Sequence, residues 1–243
     1  MVVHFRSKNA DPKVRAHPES LHKFYGGGYL RDDLALRAAL ATVQTLPPSS
    51  GRFMAEVSMV ADWGSISGFT FAARVAMATE IETCWPLLQT LRSLRTEDWT
   101  AQTALIASAI DALSNTSLLQ PPTTTRRELS FLSKYLHFCI NDAFPLWDGN
   151  ARTALAHRDD STTWPSYRGW ANKVRQEAED QYNAGCLGPL RLPGENLVRT
   201  LDKALYIIGP RVLRLKALLE QRAKRKSMNL PSGAAQTGSV NTQ

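Results

Sequence analysis

The sequence predicts an all-α protein, built as two helical lobes with a cleft between them. Nearly every periodic stretch of the 243 residues repeats its apolar positions at helical spacing, and no alternating run is long enough for a strand. The lobes follow from Leu118–Thr125, where Pro121-Pro122 and a run of threonines make a linker. On that division, residues 1–30 are an irregular N-terminal arm, 31–120 the first lobe, 121–226 the second, and 227–243 a disordered tail.

Each element has its local reason. The arm is polar and broken by Pro12, Pro18 and Gly26-Gly27-Gly28. Asp32 and Asp33 lead into a helix through Leu46, stopped by Pro47-Pro48-Ser49-Ser50-Gly51. A second helix is predicted over Phe53–Ala61, then a loop from Asp62 to Gly68 that holds Trp63 among glycines and serines. Helices follow over Thr70–Cys84, Pro86–Leu94 and Glu97–Leu113, the last capped by Thr96. In the second lobe, Thr125 and Glu128 have capping-box spacing ahead of a helix carrying residues 129–140. A short helix runs from Asp148 to near His157, a longer one from Thr163 to Ala184, and a third from Glu195 to Ile208. That helix is expected to break at Gly209-Pro210, before a basic helix from Arg211 to about Lys224. No internal repeat is visible, although helices alternating with short loops also suit an α-solenoid fragment.

Composition excludes several classes. Apolar residues at 43% and charged residues at 21% are ordinary for a globular chain. No run approaches the roughly 20 apolar residues of a membrane span, and the start MVVHFRSKNADPKVR has no apolar signal core, so a cytoplasmic protein without membrane attachment is expected. Cys84, Cys139 and Cys186 are widely separated and odd in number, against a disulfide framework, a closed zinc site or a four-cysteine iron–sulfur cluster. His4, His17, His22, His137 and His157 lack ligand spacing, Gly26–Gly28 lacks the Lys-Ser/Thr of a phosphate loop, and no nucleophile elbow is present. No metal or cofactor is expected.

The charge is informative once located. Residues 199–226 hold nine basic side chains against Asp202 and Glu220, which accounts for the whole net charge of +7. Arg211, Arg214 and Lys216 on that helix suit a polyanion such as DNA, because each phosphate neutralised releases counterions. A solvated face that aids solubility explains the same pattern equally well.

The chemistry concentrates in residues 128–155, ELSFLSKYLHFCINDAFPLWDGNARTAL. As a helix, residues 129–140 place Leu129, Leu132, Leu136, Cys139 and Ile140 on one apolar stripe and Ser130, Lys134, His137 and Asn141 on the other side. Phe131 and Phe138 stand beside Lys134, and an amine among aromatic rings is partly desolvated, which lowers its pKa toward nucleophilic use. Phe144-Pro145-Leu146-Trp147 ends the helix and delivers Asp148, a good N-cap, to the start of the next one. Trp147, carried on the same turn, and Trp63 in its loop are candidates for stacking on a base. Arg126, Arg127 and Arg152 lie at the starts of the two helices, where they can hold phosphates. His137, one turn past Lys134, can orient a base or a carboxylate. A lysine and an aspartate on neighbouring helices are also read as a solvated ion pair, worth about 0–1 kcal/mol.

Ser133-Lys134-Tyr135-Leu136-His137-Phe138 followed by Phe144-Pro145-Leu146-Trp147-Asp148 resembles the active region of helix-hairpin-helix superfamily DNA glycosylases, distant relatives of the 8-oxoguanine glycosylases. The resemblance covers about thirty of 243 residues, and the superfamily's Gly-hydrophobic-Gly hairpin turn is replaced here by Glu128–Ser133. It implies a two-lobed helical fold acting on DNA as a monomer without a cofactor, with a base extruded into a pocket, Lys134 as nucleophile and Asp148 as catalytic carboxylate. Abasic-site lyase activity, and a task in repair or in defence against phage DNA, go with it. A non-catalytic helical nucleic-acid-binding protein, in which the basic helix matters and Lys134 does not, is the alternative; a protein-binding scaffold is another.

Overall fold

The computed structural model describes residues 3–4, 15–16, 28–64, 69–93, 99–117, 126–157, 161, 163–185, 187, 191 and 195–228. Val3–His4 (β1) pairs antiparallel with Arg15–Ala16 (β2), in the register Val3 with Ala16 and His4 with Arg15. All other regular structure among the described residues is helical. In order, the α-helices are α1 Gly28–Val43, α2 Ser50–Trp63, α3 Phe71–Ser93, α4 Trp99–Ser114, α5 Arg126–Tyr135, α6 Gly149–Ala154, α7 Trp164–Asn183 and α8 Leu197–Met228. Between α5 and α6, Leu136–Ile140 form a π-helical turn.

Local signals explain most boundaries. The Ser49 hydroxyl accepts the Arg52 N–H at the start of α2, and the Thr163 hydroxyl accepts the Ser166 N–H at the start of α7, where Pro165 stands in the first turn. Helix α6 ends where Ala156 turns left-handed at φ 51°, with the His157 N–H reaching back to the Arg152 carbonyl at 2.8 Å.

Two expected breaks are absent. Pro86 lies inside α3 and Pro210 inside α8, although each was expected to separate two helices. A proline removes one backbone bond and need not end a helix whose flanks are packed. Cys84, Trp85, Leu88 and Leu91 are buried around Pro86, and Ala204, Leu205 and Ile208 are buried just before Pro210. Gly209 has a different task from breaking a helix: a Cβ there would stand 2.1 Å from the Asn150 carbonyl oxygen, so only glycine allows α6 to approach α8 this closely.

Buried apolar side chains from Leu36 to Ile208 form one continuous core. Helix α5 contacts α2, the π turn contacts α1 and α3, and α6 and α7 pack on α8. Buried polar links fix these contacts. Glu56 on α2 takes Arg52 Nε at 3.0 Å and the Tyr135 hydroxyl at 2.5 Å, and Arg199 on α8 donates to Asp33 on α1 at 2.5 Å. The expected apolar stripe is buried, but so is the opposite side, because residues 131–140 are buried without exception. No helix among the described residues is long and apolar enough to cross a membrane. The expected linker at 118–125, the Thr96 and Thr125 caps, Cys186 and the tail from 229 lie outside the described residues.

Candidate functional site

The last turn of α5, the π turn and the stretch 141–148 together build one buried site. A π turn replaces an i→i+4 bond with an i→i+5 bond, here from the Asn141 N–H to the Leu136 carbonyl at 2.7 Å. The Cys139 carbonyl in that turn receives Gln44 Nε2 at 3.4 Å, and Gln44 Oε1 is itself held by Arg92 at 2.7 Å. The chain then reverses and is fastened residue by residue. His137 Nδ1 donates to the Phe144 carbonyl at 2.8 Å, and the Tyr167 hydroxyl donates to the Pro145 carbonyl at 2.8 Å. The Leu146 N–H donates to Asp202 Oδ2 at 3.0 Å, and the Leu146 carbonyl accepts Trp170 Nε1 at 2.9 Å. The Trp147 N–H donates to Ser133 Oγ at 2.9 Å, which ties the turn directly to the residue before Lys134. Each net bond is worth about 1 kcal/mol, so the set holds the Asp148 backbone to one geometry.

Asp148 caps α6 as its position predicts. Oδ1 alone accepts both the Asn150 N–H at 2.8 Å and the Ala151 N–H at 3.1 Å, and Oδ2 makes no hydrogen bond among the described residues. One oxygen is structural and the other is free to act.

Lys134 is 7% exposed. Its Nζ donates to the Ser130 carbonyl at 3.2 Å and to Ser130 Oγ at 2.7 Å, and no ion pair closes between it and a carboxylate among the described residues. Burial pulls its ammonium below the ordinary lysine range, while the charges of Asp148 and Asp202 act in the opposite sense. The two acceptors equal the two N–H donors of a neutral amine, so the lone pair is left unengaged.

The other predicted residues take up defined places. His137 is buried, and with Nδ1 donating to Phe144 its Nε2 accepts from Arg37 at 3.3 Å. Burial first, then the Arg199 and Arg37 guanidiniums, hold its imidazole well below the ordinary histidine range, so it is a neutral clamp on the turn. Phe138 lies against the guanidiniums of Arg37 at 5.2 Å and Arg199 at 5.3 Å. Trp63 is the last residue of α2 instead of a loop residue, and its ring packs edge-on to Phe138 at 4.6 Å. Trp147 is buried among His157, Tyr167 and Trp170, with Arg152 over its ring at 4.5 Å. Arg152, expected at the surface, is buried there because the indole covers its guanidinium. Arg214 is exposed on α8, and the side chains of Arg126, Arg127, Arg211 and Lys216 lie outside the described residues. Two members of the basic segment, Arg199 and Lys203, are buried in ion pairs with Asp33 and Glu195 and present no charge to a polyanion.

Asp202 is the functional group that sequence reasoning missed. It is buried on α8, and burial pushes its carboxyl up to about 7; Arg199 and the Leu146 N–H pull it back, Asp148 pushes it further up, and Lys134 pulls it down. Among the described residues no cluster of His, Cys, Asp and Glu is arranged to hold a metal ion. A cleft of about 640 Å³ lies elsewhere, between the α1–α2 turn and α3, with Arg52, Trp85 and Arg92 in its wall. Comparison of the chain with protein-family models, with curated proteins and with solved structures gives no match in any of the three.

Proposed function

We propose that the chain is a DNA N-glycosylase of the helix-hairpin-helix kind with abasic-site lyase activity, in which Lys134 is the nucleophile and Asp148 the catalytic carboxylate. The observation that carries this reading is Lys134 itself: a buried amine held by two neutral acceptors, with a helix-capping carboxylate in its field whose second oxygen is free. In this chemistry the Lys134 lone pair attacks C1′ of the deoxyribose. The C1′–N bond breaks, the base leaves with the bonding electrons and takes a proton, and the Asp148 charge stabilises the oxocarbenium character that develops. Loss of the remaining amine proton and opening of the sugar ring give a Schiff base, from which strand cleavage follows.

The substrate belonging to this reading is a modified or damaged base flipped from duplex DNA into a cleft between two helical lobes. Arg214, with its neighbours Arg211 and Lys216, supplies the phosphate contacts. The enzyme acts as a monomer in the cytoplasm without a cofactor.

Borohydride trapping on a panel of modified duplexes tests it. The wild-type protein forms a covalent adduct with at least one duplex; Lys134→Gln forms none while keeping its DNA affinity. Asp148→Asn keeps the cap, since asparagine also caps helices, and is about 100-fold or more slower. Excision at wild-type rates by both variants overturns the reading in favour of a non-catalytic nucleic-acid-binding protein. Excision retained by Lys134→Gln alone makes water the nucleophile.

A further inference from the structure

Helix α8 brings a third ionisable group to Lys134 and Asp148. Asp202 Oδ2 accepts the Leu146 N–H, while Oδ1, in the same buried position, has no hydrogen-bond partner among the described residues. An ionised carboxylate shut away from water needs partners for both oxygens, and a protonated one needs far fewer. The charged and titratable groups facing it are Arg199 on its own helix, Lys134 on α5, Asp148 on the turn, and Tyr167 on α7, whose phenol is raised first by burial and then by the Asp202 charge.

Lys134 has the complementary problem, an ammonium in a socket that offers it two neutral acceptors and no ion pair. Moving one proton from the ammonium to the Asp202 carboxylate breaks an N–H bond and forms an O–H bond. Both groups become neutral, so the burial penalty on each is lifted together while the net charge of the site is unchanged.

We propose that Asp202 is a positioning residue that holds the proton of Lys134, so that the reactive form of the site is a free amine beside a protonated Asp202 carboxyl. The inference rests on the reading of Lys134 as the nucleophile, and it adds the group that frees that amine near neutral pH. Asp202 acts through Lys134 and through the turn it fastens; it does not itself touch the reacting sugar.

The test follows isotopically labelled lysine side chains by NMR in the full chain during a pH titration, with the Lys134 resonance assigned by its loss in Lys134→Gln. In the wild type this resonance moves in two steps, the lower at about 7. In Asp202→Asn the lower step is lost, and the remaining one shifts to lower pH because the charge that raised Lys134 has gone. In Asp148→Asn the lower step survives but shifts to lower pH, because Asp148 pushes Asp202 up. A single step in the wild type, or a lower step that persists in Asp202→Asn, overturns the proposal. If Asp202→Asn does not fold, an unmoved lower step in Asp148→Asn overturns it instead. No substrate enters the titration, so absent trapping beside intact paired titration overturns the glycosylase reading alone. Where trapping occurs, Asp202→Asn removes the part of its pH–rate profile that rises at about 7, whereas a purely structural role lowers the profile without moving it.

Discussion

Lys134 and Lys203 are both buried, and burial is the largest influence lowering the pKa of each, yet their sockets differ in kind. Lys203 donates directly to Glu195, whose other oxygen accepts the Thr200 hydroxyl at 3.0 Å. Its charge is met by a charge, inside one loop-and-helix unit. Lys134 meets only the carbonyl and hydroxyl of Ser130, and the carboxylates that influence it arrive from the turn and from α8. Burial therefore does not mark a reactive amine. The acceptors around it do: a carboxylate in contact fixes the ammonium, while two neutral oxygens suit the amine.

The largest effect that separates the sockets is on stability. Lys203→Met strands Glu195 as an uncompensated buried charge and costs about 3–5 kcal/mol, whereas Lys134→Met leaves only neutral acceptors behind and costs about 1 kcal/mol. Denaturant unfolding of the two variants measures the contrast, and equal losses would break it. Next in size, Gly209→Ala pushes a methyl group into the Asn150 backbone and costs about 1–3 kcal/mol, while Gly51→Ala, with nothing within 4 Å, is near neutral or stabilising. Because the Lys134 socket depends on α6 and α8 meeting correctly, Gly209→Ala also slows borohydride trapping; an unaltered rate would show that the α6 N-terminus need not be held. The smallest effect on stability belongs to Arg211, Arg214 and Lys216 changed together to glutamate, which touches neither socket. The melting temperature stays within about 2 °C, and the salt dependence of DNA binding becomes shallower. A shared loss of melting temperature would mean that these side chains serve the core.

What the sequence made legible was local. The N-cap at Asp148, the cap at Thr163 and the apolar stripe of 129–140 are each written within a few residues, and the structure has all three. Gly209-Pro210 reads as a break because the contact that explains the glycine comes from Asn150, far away in the chain. Arg152 and Trp147 read as surface contacts because nothing nearby announces that each covers the other. Asp202 was hidden by composition: one acid among nine bases looks like charge balance, and only the packing of α8 against the 144–148 turn reveals a buried carboxylate with a bare oxygen. The π turn has no compositional signature at all, and five consecutive residues, Leu136–Ile140, carry it with ordinary helix formers.

That turn makes the spacing between the two key residues a question of phase as well as of composition. An i→i+5 bond takes one residue more than an i→i+4 bond, and one residue is about 100° of rotation around a helix axis. With the extra residue, the chain leaves Ile140 in the direction that lets the Trp147 N–H meet Ser133 and the Leu146 N–H meet Asp202. Without it, the same side chains would continue a regular helix and send the turn off by roughly a third of a revolution. Lys134 and Asp148 are thus held in alignment by an arithmetic of chain length: substitutions within 136–140 leave the alignment standing, and the loss of a single residue there does not.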